Sequence, residues 1–243
     1  MPSPSARQKP RPPRSRTDPA PTPAASRSDG PETGRSALKR RAILDAATAL
    51  FLRDGYRSTS MDQVAADAKV SKQTVYKHFA DKDQLFREIV LGVTGNSEAI
   101  LTELTSVLHT AEVSSLAELR VVLTDMARRY VDRVLEPHVL ALRRLIIAEA
   151  EQFPDLARTY YEQAPGRGIG LIADTLRVYL QRGLLAIDDV QLAAAHLAYL
   201  TLAIPLDRAQ FCPEERLSSS ERDRLASEAV RVFLAAYARP DQR

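Results

Sequence analysis

Cysteine occurs once in this 243-residue chain, at Cys212. A single thiol excludes an internal disulfide and any metal site built on several cysteines. With no basic neighbour or resolving cysteine beside it, Cys212 carries no signature of a redox sensor. Alternating apolar and polar runs of the β type are missing. The N-terminus lacks the apolar stretch of a signal peptide. The most apolar run, residues 192–206, is interrupted by His196 and Thr201 and is too short to span a bilayer. A cytoplasmic protein without membrane contact is expected. Enzyme signatures are absent too. The histidines at 78, 109, 138 and 196 show no metal-ligand spacing. Gly166-Arg167-Gly168 lacks the preceding strand and third glycine of a nucleotide loop, and no Gly-x-Ser-x-Gly occurs. No catalytic residue, metal or cofactor is expected.

What is present is helical. Apolar residues make up 44% of the chain and recur at helical spacing almost throughout, so the expected fold is all-α. Residues 1–37 hold nine of the fifteen prolines and almost no large apolar side chain, which predicts a disordered basic tail over residues 1–36. Its Arg11, Arg14 and Arg16 are of the kind that brush phosphates or enter a minor groove. Periodicity begins near Ala37, and Asp54-Gly55 ends the first helix. Helices are then expected over 60–67, 72–79 and from 82 past 101. Others follow near 116–135, 138–152, 154–164, 168–183, 188–207 and 219–238, with breaks at Pro137, Pro154, Pro165-Gly166, Gly183 and Pro213. Charge is uneven. Residues 1–37 carry seven Arg/Lys against three Asp/Glu, residues 38–88 ten against seven, and the remainder seventeen against twenty-one. Basic character therefore sits in the N-terminal third, where contact with a polyanion would need it.

The most informative stretch is TSMDQVAADAKVSKQTVYKHFADKDQLF, a short helix, a tight turn, a second short helix and the start of a longer one. Ser60 with Gln63 makes a capping box, Ser71 is an N-cap between Val70 and Val75, and Asp81 caps the next helix with Gln84. At 100° per residue, Ser71, Val75 and Phe79 share the inner face. Gln73 and Lys77 then point away from the core, with Thr74 and Tyr76 flanking them. Such a helix suits the major groove of double-stranded DNA: Gln pairs with adenine, Lys reaches guanine acceptors, and the flanking hydroxyls meet phosphate. Lys72 opens this helix, and His78 and Lys82 sit where the chain turns back toward the backbone. Thr59 and Ser60 lie at the entry to the preceding helix, beside its positive dipole end, and are expected to meet the DNA backbone there.

Residues 38–86, from LKRRAILDAATALFLRDGYRSTSMDQVA to VSKQTVYKHFADKDQLF, resemble the DNA-binding domain of TetR-family transcriptional regulators. The resemblance implies base contacts from Lys72, Gln73 and Lys77, and phosphate contacts from Ser60, Thr74, Tyr76, His78 and Lys82. Lys69 stands in the turn where many members have glycine, which would cost about 1–2 kcal/mol if the backbone there is left-handed. LRRLIIAEAEQFPDLARTYYEQAP, residues 142–165, is similar to AefR-like C-terminal domains. By these resemblances residues 37–86 form the DNA-binding domain and residues 87–239 a domain that dimerises and senses a small molecule. The implied protein is a homodimeric repressor released from a palindromic operator by an effector of unknown identity. An activator, a ligand-independent regulator and a helical protein-binding scaffold are the alternatives.

The residues themselves support dimerisation. Leu192, Ala195, Tyr199, Leu202 and Leu206 form one stripe while Leu197, Leu200 and Ile204 fall elsewhere, so that helix is apolar nearly all round. The last helix has two apolar flanks, through Leu225, Val232 and Ala236 and through Val230, Phe233 and Tyr237. Met126, Tyr130, Phe153, Tyr160, Tyr161 and Tyr179 are candidates for lining a ligand pocket, against the plainer reading that they are core. Arg143, Arg144, Glu149 and Arg177 are candidates for a charge that orients the ligand.

Overall fold

The computed structural model describes residues 31–92 and 113–239. Residues 1–30 of the tail expected over 1–36, and the far end of the fourth helix, lie outside the described residues. Ten helices are described: α1 (Pro31–Asp54), α2 (Met61–Asp67), α3 (Lys72–His78), α4 (from 82 to 92), α5 (Leu116–Val134), α6 (Pro137–Ala148), α7 (Pro154–Tyr161), α8 (Arg167–Gln181), α9 (Val190–Phe211) and α10 (Ser219–Tyr237). No strand occurs among the described residues. A lone antiparallel bridge, Leu185 to Ala238, ties the loop after α8 to the end of α10.

The expected helix ends follow the local signals. Ser60 and Gln63 close a reciprocal capping box on α2, and the Thr74 amide donates to Ser71 Oγ at the start of α3. The Gln84 amide donates to Asp81 Oδ1 at 2.7 Å to open α4. Gly55 takes φ of +84° and its amide donates to the Phe51 carbonyl, stopping α1. Lys69, in the turn between α2 and α3, does adopt a left-handed backbone, with φ of +54°.

Three expectations need correction. α1 begins at Pro31 rather than Ala37, so residues 31–36 are helical and not tail. Pro165-Gly166 does not break the chain: α7 runs through a π-helical turn, Glu162–Gly166, directly into α8. Proline cannot donate an amide, and its ring clashes with the carbonyl four residues back, so the widened register accommodates Pro165 without ending the helix. α9 extends to 22 residues, long enough by length to cross a bilayer. Packing decides its place instead, because Ala193, Ala194, Leu197, Ala198, Thr201 and Leu202 are buried between α8, α5 and α10. The small alanines let neighbouring helices approach closely.

Two cores result. Leu119, Leu123, Leu176, Tyr179, Leu197 and Phe233 centre the bundle of α5, α8, α9 and α10. The second core begins with Ile43, Phe51, Val64, Val75, Phe79 and Phe86 of the N-terminal helices. It continues without interruption into Leu142, Leu145 and Ile146 of α6, and into Phe153, Leu156 and Tyr160 at α7. The helix-turn-helix unit thus shares its interior with α6 and α7.

Candidate nucleic-acid interface and a neighbouring cavity

α3 is held by one face. Val75 and the following Phe79 are fully buried, while Gln73 and Lys77 are exposed and no partner engages them among the described residues. Tyr76 stands beside them, 46% exposed. An exposed Gln, Tyr and Lys on a short helix fixed against two others is an arrangement able to enter a DNA groove. Thr74 is half-buried, its hydroxyl 2.8 Å from Ser71 Oγ. Ser60 is exposed at the start of α2, and His78 is half-buried against Phe79.

Three expected contacts are occupied differently. Thr59 is buried, and its hydroxyl donates to the Gly55 carbonyl at 2.9 Å, so it faces inward and not toward phosphate. Lys82 places its ammonium 4.2 Å from the Tyr56 ring centroid and donates to the Tyr56 and Thr59 carbonyls, each at 3.0 Å. It fastens the α1–α2 corner to α4 in the chain as it stands. Lys72 is paired with Asp62 of α2 at 2.8 Å, and that contact raises its pKa above the ordinary lysine value. Asp62 was not legible as a partner because the pair spans the turn between two helices.

A cavity of about 130 Å³ opens among α5, α6, the π turn, α8 and α9. Tyr130 and Tyr160 line it, together with Arg133, Arg143, Tyr199 and Leu202. Burial raises the pKa of both Tyr130 and Tyr160, that of Tyr130 to about 12, so both phenols keep their protons at neutral pH. The Arg143 guanidinium beside Tyr160 offsets part of that rise, and its Nε is buried with no acceptor. The remaining candidates lie elsewhere. Met126 and Tyr179 belong to the bundle core, Phe153 to the second core, and Tyr161 is exposed. Of the four charges, only Arg143 reaches the cavity. Arg144 donates to the Ala209 carbonyl at 3.4 Å, Arg177 pairs with Asp174, and buried Glu149 faces Arg57 at 3.7 Å. Sequence spacing missed Arg133 and Tyr199, which reach the cavity from separate helices. The π turn also escaped notice, although Pro165 was read as a break; a Cβ on Gly166 would sit 3.1 Å from the Tyr161 carbonyl.

Residues 43–89 match the family described as bacterial regulatory proteins, tetR family, and residues 121–239 the C-terminal domain of AefR-like transcriptional repressors. The solved structure of a TetR-family transcriptional regulator from Mesorhizobium loti is 40% identical, with a TM-score of 0.75, over 84% of this chain and 99% of that one. The chain belongs to the TetR family of bacterial transcriptional regulators. A second solved structure, the flavonoid-responsive regulator FrrA, is 28% identical with a TM-score of 0.61, over 84% of this chain and 99% of its own. The transcriptional repressor Rv3405c of Mycobacterium tuberculosis is 36% identical across 96 residues, 40% of this chain and 46% of the repressor. The first curated relatives are matched over only 27%, 20% and 46% of their lengths. As a TetR-family protein it belongs to a non-enzymatic, DNA-binding family. The matched N-terminal segment contains every exposed side chain of α3.

Proposed function

We propose that this TetR-family protein is a homodimeric repressor that binds a palindromic operator through α3 and leaves it when a small molecule fills the cavity. Gln73 and Lys77 read base edges, Tyr76 and Thr74 meet phosphate, and the compartment is the cytoplasm, where the operator lies. The observation carrying the reading is Tyr160, which lines the cavity and also belongs to the core shared with α1, α3 and α4. A ligand that moves Tyr160 therefore acts on side chains packed beneath the recognition helix. The regulation is a population shift: the ligand favours a spacing of the two α3 helices that no longer matches one DNA turn, roughly 34–36 Å. A coupling of about 1–3 kcal/mol would weaken operator binding roughly 5–150-fold.

Dimerisation is supported by the free face of α9. Tyr199, Leu200 and Ile204 stand exposed there, and Val232 is exposed on neighbouring α10. Apolar residues clustered on two adjacent helices suit a two-fold four-helix interface.

The test is selection of genomic DNA fragments by the purified protein at physiological salt, followed by sequencing. Enrichment of one palindrome is expected. Recovery no better than random fragments would overturn the reading.

A further inference from the structure

The cavity is unevenly supplied with polar groups. Two guanidinium groups reach its wall, and no Asp or Glu does so among the lining residues. Arg133 is already compensated, donating to Glu136 Oε1 at 2.6 Å. Arg143 forms no ion pair among the described residues, and its buried Nε–H has no acceptor. A buried donor left unmatched is costly, and a charged one more so, so this N–H is a position where an acceptor on a ligand would gain most. Around it the wall is apolar, formed by Val139, Ile169, Leu202 and Leu206, with the hydroxyls of Tyr130 and Tyr160 as neutral hydrogen-bond groups. The void is small, and the half-exposed Tyr199 stands in its wall. A cavity of about 130 Å³ is close to the roughly 150 Å³ that accommodates a benzene-sized body.

We propose that this cavity binds a small monocarboxylate whose apolar part is about one ring or a short chain, its carboxylate accepting from Arg143 Nε. One uncompensated positive charge matches one negative charge, and an acid-free wall repels no anion. A cationic ligand would meet the uncompensated guanidinium of Arg143 with no acid on the wall to hold it, and a neutral one would leave the Arg143 charge uncompensated. The consequence for DNA rests on the repressor reading above, whereas binding itself does not.

The test measures the melting temperature of the full chain with benzoate, phenylacetate and hexanoate, each against its primary amide. The acids should raise the melting temperature in a concentration-dependent way and the amides should not. Arg143→Gln should weaken acid binding about 10- to 100-fold, as expected for losing a charge-assisted hydrogen bond. Arg144→Gln, on the neighbouring position outside this cavity, should leave binding unchanged. Should Arg143→Gln not fold, Tyr160→Phe and the acid–amide contrast in the unaltered chain carry the decision. Equal shifts from acid and amide, no shift from any acid, or full acid binding by folded Arg143→Gln would overturn the proposal. A gel-shift arm on the selected operator separates the two readings. Acid binding that leaves operator affinity unchanged sinks the sensing role but not the anion site. Operator release by benzamide and not benzoate sinks the anion site but not the sensor.

Discussion

The Phe153 ring meets the Tyr56 ring edge to face, with centroids 5.1 Å apart and planes at 84°. Phe86 closes the triangle, 5.0 Å from Tyr56 and 5.3 Å from Phe153. Tyr56 follows α1, Phe86 lies on α4 and Phe153 caps α7, so three separate stretches of chain meet at one aromatic cluster. Arg87 covers the Phe153 ring at 5.3 Å, and the Tyr56 hydroxyl donates to Asp83. This is where the helix-turn-helix unit and the helices α6 and α7 become one body.

Phe153→Ala should therefore cost about 3–5 kcal/mol, the range for removing a buried aromatic. It should also divide unfolding. The unaltered chain is expected to melt the helix-turn-helix unit together with α6 and α7 in one calorimetric transition. The variant should show an earlier, separate transition for the N-terminal helices. A single transition shifted downward as a whole would show that the cluster stabilises without joining the parts.

Lys77→Ala and Lys82→Ala separate reading from bracing. Lys77 is exposed and unengaged, so its loss should leave stability unchanged and relax preference at one base position by about 1–3 kcal/mol. Lys82 holds two carbonyls and a ring, so its loss should lower the melting temperature. Tyr76→Phe should weaken all operators about equally, since a phosphate contact carries no sequence information. Paired binding-site selection and thermal melts decide all three.

Lys69→Gly should stabilise the protein by about 0.5–1 kcal/mol. The left-handed backbone at φ of +54° strains a side chain with a Cβ, and glycine relieves it, although glycine also gives the unfolded chain more freedom. The midpoint of denaturant unfolding should rise. A fall would show that the lysine side chain makes a contact worth more than the strain.

Stability should decline on the alkaline side. Burial lifts Tyr130 from 10.0 to about 12. Below pH 10 both folded and unfolded chains keep the phenol proton, and the contribution is fully present. Between about pH 10 and 12 only the unfolded chain loses the proton, so folding weakens as pH rises, by up to about 3 kcal/mol. Tyr56 and Tyr160 shift in the same direction. Tyr130→Phe should flatten part of this decline in urea titrations across that range; an unchanged slope would place Tyr130 in contact with water.

Ile204→Glu should convert the proposed dimer to monomer and lower operator affinity. Ile204 is 57% exposed on α9, so the substitution leaves the subunit core intact. Sedimentation of the folded variant checks the outcome, and an unchanged dimer would move the interface elsewhere.

Much of this architecture was legible because its signals act within a few residues. Ser60, Ser71, Asp81 and Gly55 set helix ends through bonds to amides or carbonyls next to them in sequence. The wheel for Gln73, Val75 and Lys77 needed only the helical repeat. Lys69 drew notice only through the family resemblance, which sets glycine at that turn position, and its backbone is left-handed. Pro165 misled because proline was read as a local stop, whereas the widened π register lets the helix continue through it. The intrachain partners of Thr59, Lys72 and Lys82 escaped notice for a related reason. These three side chains are the types that meet phosphate, but their partners Gly55, Asp62 and Tyr56 come into range only after the corner folds.

Composition and local pattern thus determined an all-helical chain, the helix-turn-helix and the face of α3 that points outward. Tertiary structure alone decided which aromatic side chains became cavity and which became core. Tyr130 and Tyr160 look no different in sequence from Tyr179 and Phe153. Their fates divide because a helix presents each residue in one direction, while what stands opposite is set by helices distant in the chain. The same holds for Arg143, whose buried, unmatched Nε–H exists only because α6 packs that guanidinium between Tyr160 and an apolar wall.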